Sequence, residues 1–281
     1  VMHCVFVVQA SEKIGLGHLL RCLGLSQQLV NLGHTATFLL DDETLHYANA
    51  REDWQGIKTP VKYECLDNFL EQYKLDRSVD VDWLIVDGYQ FSADFIQRLK
   101  SMNYRVVLFE DSAEFPSTDA DIVINSSIHG LDSPQIFGNT TLLSGDQYRL
   151  MRQDFHDILV TPIEQRRRLT LCFGGSDPAR FTLPLLEALA HVSPIKTVTA
   201  ITGPGFTQMA ELATFLKHTT LDVDVLQNVQ EMAPIWLDTR LAISAAGGSQ
   251  FELAACATPS VLVVVADNQV TSKENAANKG L

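Results

Sequence analysis

The apolar positions of the chain fall into short runs that alternate with segments of helical spacing. The first run, from Cys4 to Val8, is rich in β-branched and aromatic residues and ends in polar residues and glycines, which is typical of a buried parallel strand. From Leu16 onward, leucine and valine recur at helical spacing until Gly33, which stands where a helix C-cap is expected. The chain therefore begins with a strand, a glycine loop and a helix.

The same alternation continues along the rest of the chain. Strands that alternate with helices imply crossover connections and parallel sheets, so the pattern predicts the α/β fold class. A polar segment between Gly145 and Arg168 divides the pattern into two series, and we expect one domain over residues 1–150 and another over 165–281. The other predicted strands are 35–40, 83–86, 105–109, 122–124, 169–173, 197–201, 221–225, 241–244 and 261–265, and the other predicted helices are 93–102, 179–191, 206–217, 229–237, 249–256 and 271–279.

Three loops carry glycines where a predicted strand meets a predicted helix. Glycine lets the backbone turn sharply and approach a ligand, and the following helix presents free N–H groups and the positive end of its dipole. None of the loops matches the G-x-x-x-x-G-K-[ST] pattern of a P-loop, and the first lacks the third glycine of an NAD fingerprint. A cradle for another phosphate or sugar ligand is therefore favoured. The loops contain Gly15 and Gly17, then Gly174, Gly175 and Ser176, and then Gly247, Gly248 and Ser249.

His18 directly follows the first Gly-x-Gly, at the start of a predicted helix. The positive end of the helix dipole disfavours the imidazolium form, which keeps a neutral imidazole available as a base. Glu252, one turn into the helix after the third loop, can accept hydrogen bonds from two vicinal ribose hydroxyls. Open parallel sheets bind ligands outside the carboxyl ends of their strands, so we expect two such crevices to face each other and form one site. The other side chains placed on these edges are Asp87, Tyr89, Asn268 and Gln269.

The composition argues against several classes of ligand. The formal net charge of −13 argues against binding to a nucleic-acid backbone, which depends on Lys and Arg. Three Asp-x-Asp pairs flank predicted strand starts, away from the glycine loops, so we expect no metal and no other cofactor. The five cysteines form no C-x-x-C pair, the first residues lack a signal-peptide pattern, and the longest apolar run, 261–266, is far below the ~20 residues that span a bilayer. These features predict a cytoplasmic protein without membrane insertion.

Five segments, in order over almost the whole chain, carry a resemblance to a known family. They are IGLGHLLRCLGLSQQL, IVDGYQF, the stretch with Gly145, Tyr148, Arg152 and Phe155, LCFGGSDPARFT, and AISAAGGSQFELAACATPSVLVVVADNQ. These segments resemble the UDP-2,4-diacetamido-2,4,6-trideoxy-β-L-altropyranose hydrolases of pseudaminic acid biosynthesis, which are related to spore-coat polysaccharide proteins and, more distantly, to the UDP-GlcNAc transferase of lipid II synthesis. The resemblance implies a GT-B-like fold, in which two Rossmann-like parallel-sheet domains face each other across a cleft and the second binds most of the UDP.

The resemblance also implies roles for individual residues. The family histidine that matches His18 acts as a general base, activating water to attack C1 with inversion while UDP leaves. Glu252 matches the ribose-binding glutamate. Tyr89, Asn268 and Gln269 fall where the sugar and the attacking water are handled, and Gly174, Gly175, Ser176, Gly248 and Ser249 fall where UDP is contacted. We further expect Gly15, Gly17, Arg21 and Asp87 to bind the substrate.

The chain departs from the family pattern on the sugar side. Family members usually carry an Arg and an Asp where this chain has Val7 and Gln9. The usual Asp-His-Tyr becomes Asp87-Gly88-Tyr89, and an Asp-Asp pair becomes Glu110-Asp111. The nucleotide half therefore matches better than the sugar half, and the sequence does not identify the sugar.

Three functions follow from these features. The leading hypothesis is metal-independent, inverting hydrolysis of a UDP-sugar, with His18 as the base. The second is a glycosyltransferase that replaces water with a sugar, lipid or amino acceptor, although no basic or amphipathic membrane-facing stretch favours a lipid. The third is a noncatalytic UDP-sugar-binding protein, suggested by the missing Arg and Asp. In each case the partner is a small-molecule UDP-sugar, and a cleft made from one chain requires only a monomer or weak homo-oligomer.

Overall fold

The computed structural model describes residues 1–77, 80–112, 117–127, 134–192, 194–265 and 269–270, which group into two compact units. Unit 1 comprises Val1–Ala10, His18–Asn49 and Asp53–Gln153. Unit 2 comprises Ser11–Gly17, Ala50–Glu52 and the residues from Asp154 onward. The predicted helix 271–279 and the candidate residue Asn268 lie outside the described residues.

Unit 1 is built around a sheet that, in the part of the chain described, has the order β3-β2-β1-β4-β5-β6-β8-β7. Neighbouring strands pair in parallel except β7, which is antiparallel to β8. The order from β3 to β6 is that of a Rossmann sheet, in which the direction of winding reverses between β1 and β4. The strands are β1 (His3–Val8), β2 (Thr35–Leu40), β3 (Ile57–Pro60), β4 (Trp83–Asp87), β5 (Val106–Phe109), β6 (Ile122–Asn125), β7 (Gln135–Phe137) and β8 (Thr140–Ser144), and the helices are α1 (Gly17–Asn31), α2 (Asp42–Asn49), α3 (Leu66–Arg77) and α4 (Ala93–Ser101).

Local sequence explains why these elements begin and end where they do. Every residue of β1 from Cys4 to Val8 is buried, as expected for a parallel strand that is covered on both faces. Helix α1 ends before Gly33, which adopts a left-handed φ of 84° while His34 N donates to Leu29 O at 2.9 Å. Helix α4 begins after Ser92, whose hydroxyl accepts a hydrogen bond from Phe95 N at 3.3 Å.

Unit 2 contains a second parallel sheet. Its described strands are ordered β11-β10-β9-β12-β13, so the winding reverses between β9 and β12. Its core packs Leu171, Leu186, Ala200 and Leu212, each at most 1% exposed. The strands are β9 (Arg168–Cys172), β10 (Thr197–Thr202), β11 (Asp222–Gln227), β12 (Thr239–Ala245) and β13 (Ser260–Val263), and the helices are α5 (Thr182–Leu189), α6 (Met209–His218), α7 (Ala233–Asp238) and α8 (Ser249–Ala255).

The predicted α/β class with parallel sheets is confirmed, and each predicted strand has a counterpart within a few residues. The predicted helix 179–191 begins three residues late. Asp177 and Arg180 adopt left-handed φ angles, and the Asp177 carboxylate accepts hydrogen bonds from Phe181 N and Thr182 N, so the chain turns before α5 starts. The helices predicted at 206–217 and 229–237 also begin late, at Met209 and Ala233, and the sequence did not predict β3, β7 and β8.

Candidate functional site

The strongest polar cluster of unit 1 lies where α1 begins beside the carboxyl end of β4. His18 is 5% exposed and Asp87 is fully buried, and His18 Nδ1 lies 2.7 Å from Asp87 Oδ1. Arg21 Nη2 also lies 3.2 Å from His18 Nδ1, but the carboxylate is closer and accepts a hydrogen bond, so the geometry favours a proton on Nδ1. His18 and Asp87 thus form a dyad in which the carboxylate orients the imidazole.

Arg21, one turn further along α1, links Asp87 to Asp111. Arg21 Nε and Nη2 donate to the two oxygens of Asp87 at 2.5 and 2.7 Å, and Nη1 and Nη2 donate to those of Asp111 at 2.7 and 3.1 Å. Burial alone would raise the pKa of Asp87, but Arg21 and His18 outweigh it and hold that pKa well below its usual range. Burial opposes the charge of Arg21 as well, and the two carboxylates keep its pKa above the ordinary value. The dyad carboxylate is therefore held in its charged form.

A cavity of about 150 Å³ opens beside this cluster. An apolar cavity of that size holds one six-membered ring such as benzene. Tyr89, which is 55% exposed, sets the edge of its ring against His18, with 4.8 Å between the ring centroids. The residues that line it are the apolar Phe91, Ile96, Leu108 and Phe109, the acidic Asp87, Glu110 and Asp111, and His18, Gly88, Tyr89, Ser92, Ala93, Ser117 and Thr118.

The positions at which the sequence departs from the family pattern lie in different surroundings. Val7 is fully buried in the apolar core of unit 1, away from the cavity wall. Gln9, by contrast, packs against Gly88: a Cβ on residue 88 would lie 2.7 Å from Gln9 Cβ and 2.9 Å from the Phe91 ring. In this backbone, residue 88 therefore has no room for a side chain, and the cavity is bounded there by bare main chain.

Asp111 was not among the predicted site residues. It lies two residues after β5, the strand next to β4, so its carboxyl group reaches the same edge of the sheet as Asp87. The signal that could have found it is an acidic pair directly after a buried apolar strand, Glu110-Asp111. The Arg21 bridge itself left no separate signal, because arginine in a helix is most often solvent-exposed.

The glycine loop with Gly174 and Gly175 follows β9 in unit 2. Gly174 has a φ of 84°, which favours glycine, and Ser176 is 8% exposed. The loop after β10 packs directly against it: a Cβ on Gly203 would lie 2.4 Å from Gly175 Cα, and Gly205 N donates to Gly175 O at 2.9 Å. Gly203 is a glycine of this site that the sequence analysis missed, and the Gly-Pro-Gly after β10 was its available signal.

The glycine loop with Gly247 and Gly248 precedes α8. Burial raises the pKa of the Cys172 thiol to about 11, while the Gly174 backbone and the Ser249 side chain act to lower it, so both groups lie near this thiol. Because β9 also pairs with β12, the two loops lie side by side. A Cβ on Gly247 would lie 3.2 Å from the Gln269 amide nitrogen, which places Gln269 at the same loop. A Cβ on Gly248 would meet no atom within 4 Å.

Glu252 stands on the helix that follows this loop. Trp236, a fully buried residue of α7, donates its indole N–H to Glu252 Oε2 at 3.0 Å. The contact holds one oxygen of the Glu252 carboxylate. Glu252, Ser249 and both loops thus lie at the reversal of winding between β9 and β12, where open parallel sheets bind ligands.

The remaining candidate glycines belong to the loop before α1. Gly15 has a φ of 80°, and its N–H donates to Ser11 O at 2.8 Å, closing a tight turn. Gly17 starts α1, and a Cβ there would meet nothing within 4 Å. Gly15 is therefore required by backbone conformation, whereas Gly17 keeps the approach to the helix open.

Within the described residues, no group of three or more His, Cys, Asp or Glu side chains has the arrangement of a metal site. One carboxylate of each Asp-x-Asp pair has protein partners: Asp82 accepts a hydrogen bond from His3 N, and Asp121 accepts from Lys100 Nζ and Val106 N. Asp224 pairs with Arg168 at 3.0 Å. No helix in the part of the chain described is long and apolar enough to cross a membrane.

The sequence matches known proteins only at low identity. Residues 170–279 match the glycosyltransferase family 28 C-terminal domain. The chain is 23% identical to an uncharacterized protein of Methanocaldococcus jannaschii (93% of this chain, 55% of that protein), so it spans about half the length of that relative. It is also 23% identical to the spore coat polysaccharide biosynthesis protein SpsG of Bacillus subtilis (99% and 82% covered) and to the UDP-2,4-diacetamido-2,4,6-trideoxy-beta-L-altropyranose hydrolase of Campylobacter jejuni (79% and 78% covered).

Solved structures of GT-B glycosyltransferases share the fold over the whole chain. MurG of Acinetobacter baumannii superposes with a TM-score of 0.58 at 16% identity, covering 100% of this chain and 84% of that one. A UDP-glucosyltransferase of Polygonum tinctorium gives a TM-score of 0.63 at 15% identity, covering 98% and 82%. The expected GT-B-like α/β fold is thereby confirmed.

Proposed function

We propose that this protein hydrolyses a UDP-sugar at the anomeric carbon, without a metal ion, and releases UDP and the free sugar with inverted configuration. His18 Nε2 takes a proton from water, the water oxygen attacks C1, and the C1–O bond to the diphosphate breaks, leaving its electron pair on UDP. The N–H groups of the glycine loops stabilise the leaving diphosphate.

The observation that carries this proposal is the contact between Asp87 and His18 Nδ1. With Nδ1 directed at the carboxylate, Nε2 is the nitrogen left to accept a proton from water, and the Asp87 charge stabilises the imidazolium that forms. The cavity next to His18 has the size of one sugar ring. Tyr89, at its mouth, supplies an aromatic face for that ring.

The nucleotide is assigned to unit 2. Glu252, held by Trp236, is proposed to accept the ribose hydroxyls, and the loops with Gly174, Ser176 and Gly248 are proposed to contact the diphosphate. The remaining contacts, from Gly15, Gly17, Arg21, Gly175, Ser249, Asn268 and Gln269, stay predictions. For Arg21, the bonds to two carboxylates favour a supporting role over direct contact with the sugar.

The name of the Campylobacter relative describes a hydrolase that acts on a UDP-sugar, and we extend that activity to this chain. With it we propose a cytoplasmic role in the biosynthesis of a nonulosonic acid such as pseudaminic acid. The buried, unpaired thiols of Cys4, Cys22, Cys172 and Cys256 accord with a reducing compartment.

The test is a mass-spectrometric screen of UDP-sugars, without an acceptor, for UDP and free sugar, with solvent ¹⁸O traced into the sugar. The proposal expects one ¹⁸O at C1 and UDP released in equal amount. His18→Asn should abolish turnover while UDP affinity changes less than about threefold, because the imidazole lies in the other unit from the UDP loops. Wild-type turnover by the His18→Asn variant would show that His18 is not the general base.

A glycosyltransferase is the second candidate, favoured by the match of residues 170–279 to a glycosyltransferase domain. In that case the dyad would activate an acceptor hydroxyl or amine, and UDP would be released only when an acceptor is present. The same screen, repeated with a pool of sugar and amine acceptors, separates the two functions. Release of UDP that depends on acceptor, with a new glycoside in the mass spectrum, would replace hydrolysis by transfer.

A further inference from the structure

Two groups compete for His18 Nδ1. Asp87 Oδ1 lies 2.7 Å from this nitrogen, and Arg21 Nη2 lies 3.2 Å from it. An ionised carboxylate can only accept a hydrogen bond there, whereas a guanidinium can only donate one. The two neighbours therefore favour opposite tautomers of the neutral imidazole: Asp87 favours the proton on Nδ1, and Arg21 favours it on Nε2. Only the first tautomer leaves Nε2 able to take a proton from water.

The hydrogens of the Arg21 guanidinium decide between the two tautomers. A guanidinium carries five N–H hydrogens in one plane, one on Nε and two on each terminal nitrogen. Nε and Nη2 donate to Asp87 at 2.5 and 2.7 Å, which uses one hydrogen of Nη2. Nη1 and Nη2 donate to Asp111 at 2.7 and 3.1 Å, which uses the other. With both carboxylates in place, Nη2 has no hydrogen left for His18.

Asp87 is held in the orientation that suits His18. Its Oδ1 faces His18 Nδ1 and accepts from Arg21 Nη2, and its Oδ2 accepts from Arg21 Nε and, at 3.6 Å, from the Cys22 thiol. Asp87 is fully buried, so these donors fix both of its oxygens. An Nη2 hydrogen that turned from Asp111 to His18 would meet the proton on Nδ1 and displace it to Nε2.

Asp111 acts on this arrangement from outside the dyad. It follows β5, and both of its carboxylate oxygens accept hydrogen bonds from Arg21. Its side chain is 26% exposed, whereas that of Asp87 is 1% exposed. The effect of the Asp111 carboxylate on His18 therefore passes through the guanidinium between them.

We infer that Asp111 is a positioning residue for the base: it accepts the second Nη2 hydrogen of Arg21, keeps the guanidinium from donating to His18 Nδ1, and so maintains the tautomer that has its proton on Nδ1. The inference deepens the proposed function and rests on it, because the tautomer matters to catalysis only if His18 Nε2 takes a proton from water.

The test measures the tautomer of His18 in the protein alone. Asp111→Ala removes both acceptor oxygens and frees one hydrogen of Nη2. ¹⁵N NMR of the imidazole at about pH 9, above the range in which histidines ordinarily titrate, shows which ring nitrogen carries the proton. Comparison with His18→Asn assigns its signals among the eight histidines of the chain. We expect the proton on Nδ1 in the wild type and mainly on Nε2 in Asp111→Ala.

The kinetics of the same variants link the tautomer to the reaction. In Asp111→Ala, kcat for the best substrate of the UDP-sugar screen should fall about tenfold, the factor by which one hydrogen bond to a charged group shifts an equilibrium. KM should change less than about threefold, because the tautomer acts on the chemical step rather than on binding. Asp111→Asn keeps one acceptor oxygen and most of the shape, so it should fold as the wild type does and give intermediate values in both measurements.

Asp121→Ala is the matched control. The side chain of Asp121 is 31% exposed, close to the value for Asp111, and it pairs with Lys100 at 2.7 Å, as Asp111 does with Arg21. The loss of this ion pair tests for general damage to unit 1. The control should keep the proton of His18 on Nδ1 and the kcat of the wild type.

The outcomes separate this inference from the proposed function. If His18 keeps its proton on Nδ1 in both Asp111 variants, or if the wild type already carries it on Nε2, the role of Asp111 is overturned. If the tautomer shifts in Asp111→Ala while kcat stays at the wild-type value, Asp111 does position His18, but His18 is not the base and the proposed mechanism fails. A shift in tautomer that accompanies a proportional fall in kcat supports both.

Discussion

Replacing Asp87 by Asn tests the central contact of the site. The amide has nearly the shape of the carboxylate but no charge, so His18 loses the group that fixes its tautomer and Arg21 loses one of its two counter-ions. The equivalent change in a Ser-His-Asp triad lowers kcat roughly 10⁴-fold. We expect a loss of about 10²- to 10⁴-fold in kcat, with the affinity for UDP little changed.

The same variant should also be less stable. Removing one partner of a buried ion pair typically costs about 3–5 kcal/mol. Asp111 still holds Arg21, and the amide oxygen still accepts one hydrogen bond, so we expect a smaller loss, about 2–3 kcal/mol in the free energy of unfolding by urea. Because the pKa of Asp87 is depressed in the folded state, its stabilisation is present in full above the unfolded pKa of about 3.9 and is lost as the pH falls toward the folded pKa. The gap between wild type and variant should therefore be constant from about pH 5 to 8 and narrow below about pH 4.

Asp121→Asn is the control for general damage. Asp121 is also a partly buried carboxylate of unit 1, paired with Lys100 at 2.7 Å and bonded to Val106 N, but it precedes β6 at the opposite edge of the sheet. The Asp121→Asn variant should lose stability but keep the wild-type kcat. The dyad reasoning is refuted if Asp87→Asn keeps wild-type kcat, or if the two variants lose activity only in proportion to stability.

Two further predictions concern the framework of unit 2. Gly203→Ala places a methyl group 2.4 Å from Gly175 Cα, so it should cost about 1–3 kcal/mol of stability and weaken UDP binding in calorimetry. Gly248→Ala is the control, because a Cβ there meets open space, and it should cost less than about 1 kcal/mol. Equal costs for the two variants would contradict the packing argument. Arg166→Met removes the donors to the partly buried carbonyl of Thr161 and the buried carbonyl of Cys256, and it should cost about 3–5 kcal/mol in urea unfolding. The same change at Arg167, whose side chain is 84% exposed, should cost under about 0.5 kcal/mol. A loss below about 1 kcal/mol for Arg166→Met would show that these hydrogen bonds are dispensable.

The sequence was most informative about strands buried on both faces. Runs such as those of β1 and β5 are apolar throughout, and a hydrophobic pattern detects them directly. Strand β3, Ile57–Pro60, lies at the sheet edge with half of its residues exposed, and β8 buries threonine and serine as well as leucine. Their hydrogen bonds to neighbouring strands, rather than a run of apolar side chains, place them in the sheet. Propensity and pattern had too little signal there.

The candidate site likewise contains residues with a local sequence marker and residues without one. His18 and Asp87 could be predicted because each follows a local marker, a glycine loop or the end of an apolar strand. The Arg21–Asp111 pair could not, since 90 positions separate the two residues and only the strand order brings β5 beside β4. Pairing across such distances depends on tertiary structure. The sequence pattern predicts the strands without their order.

The packing of Gln9 against Gly88 limits how the unit 1 cavity can be re-engineered. A Cβ on residue 88 would lie 2.7 Å from the Gln9 Cβ, so this main chain accepts a side chain at only one of the two positions. A histidine introduced at position 88 would therefore not simply add an imidazole to the cavity. It would push apart the exits of β1 and β4, and with them Asp87, whose carbonyl accepts the Gln9 N–H at 2.9 Å. To alter the cavity at this point, residues 9 and 88 must be exchanged as a pair, and the backbone around them must be redesigned.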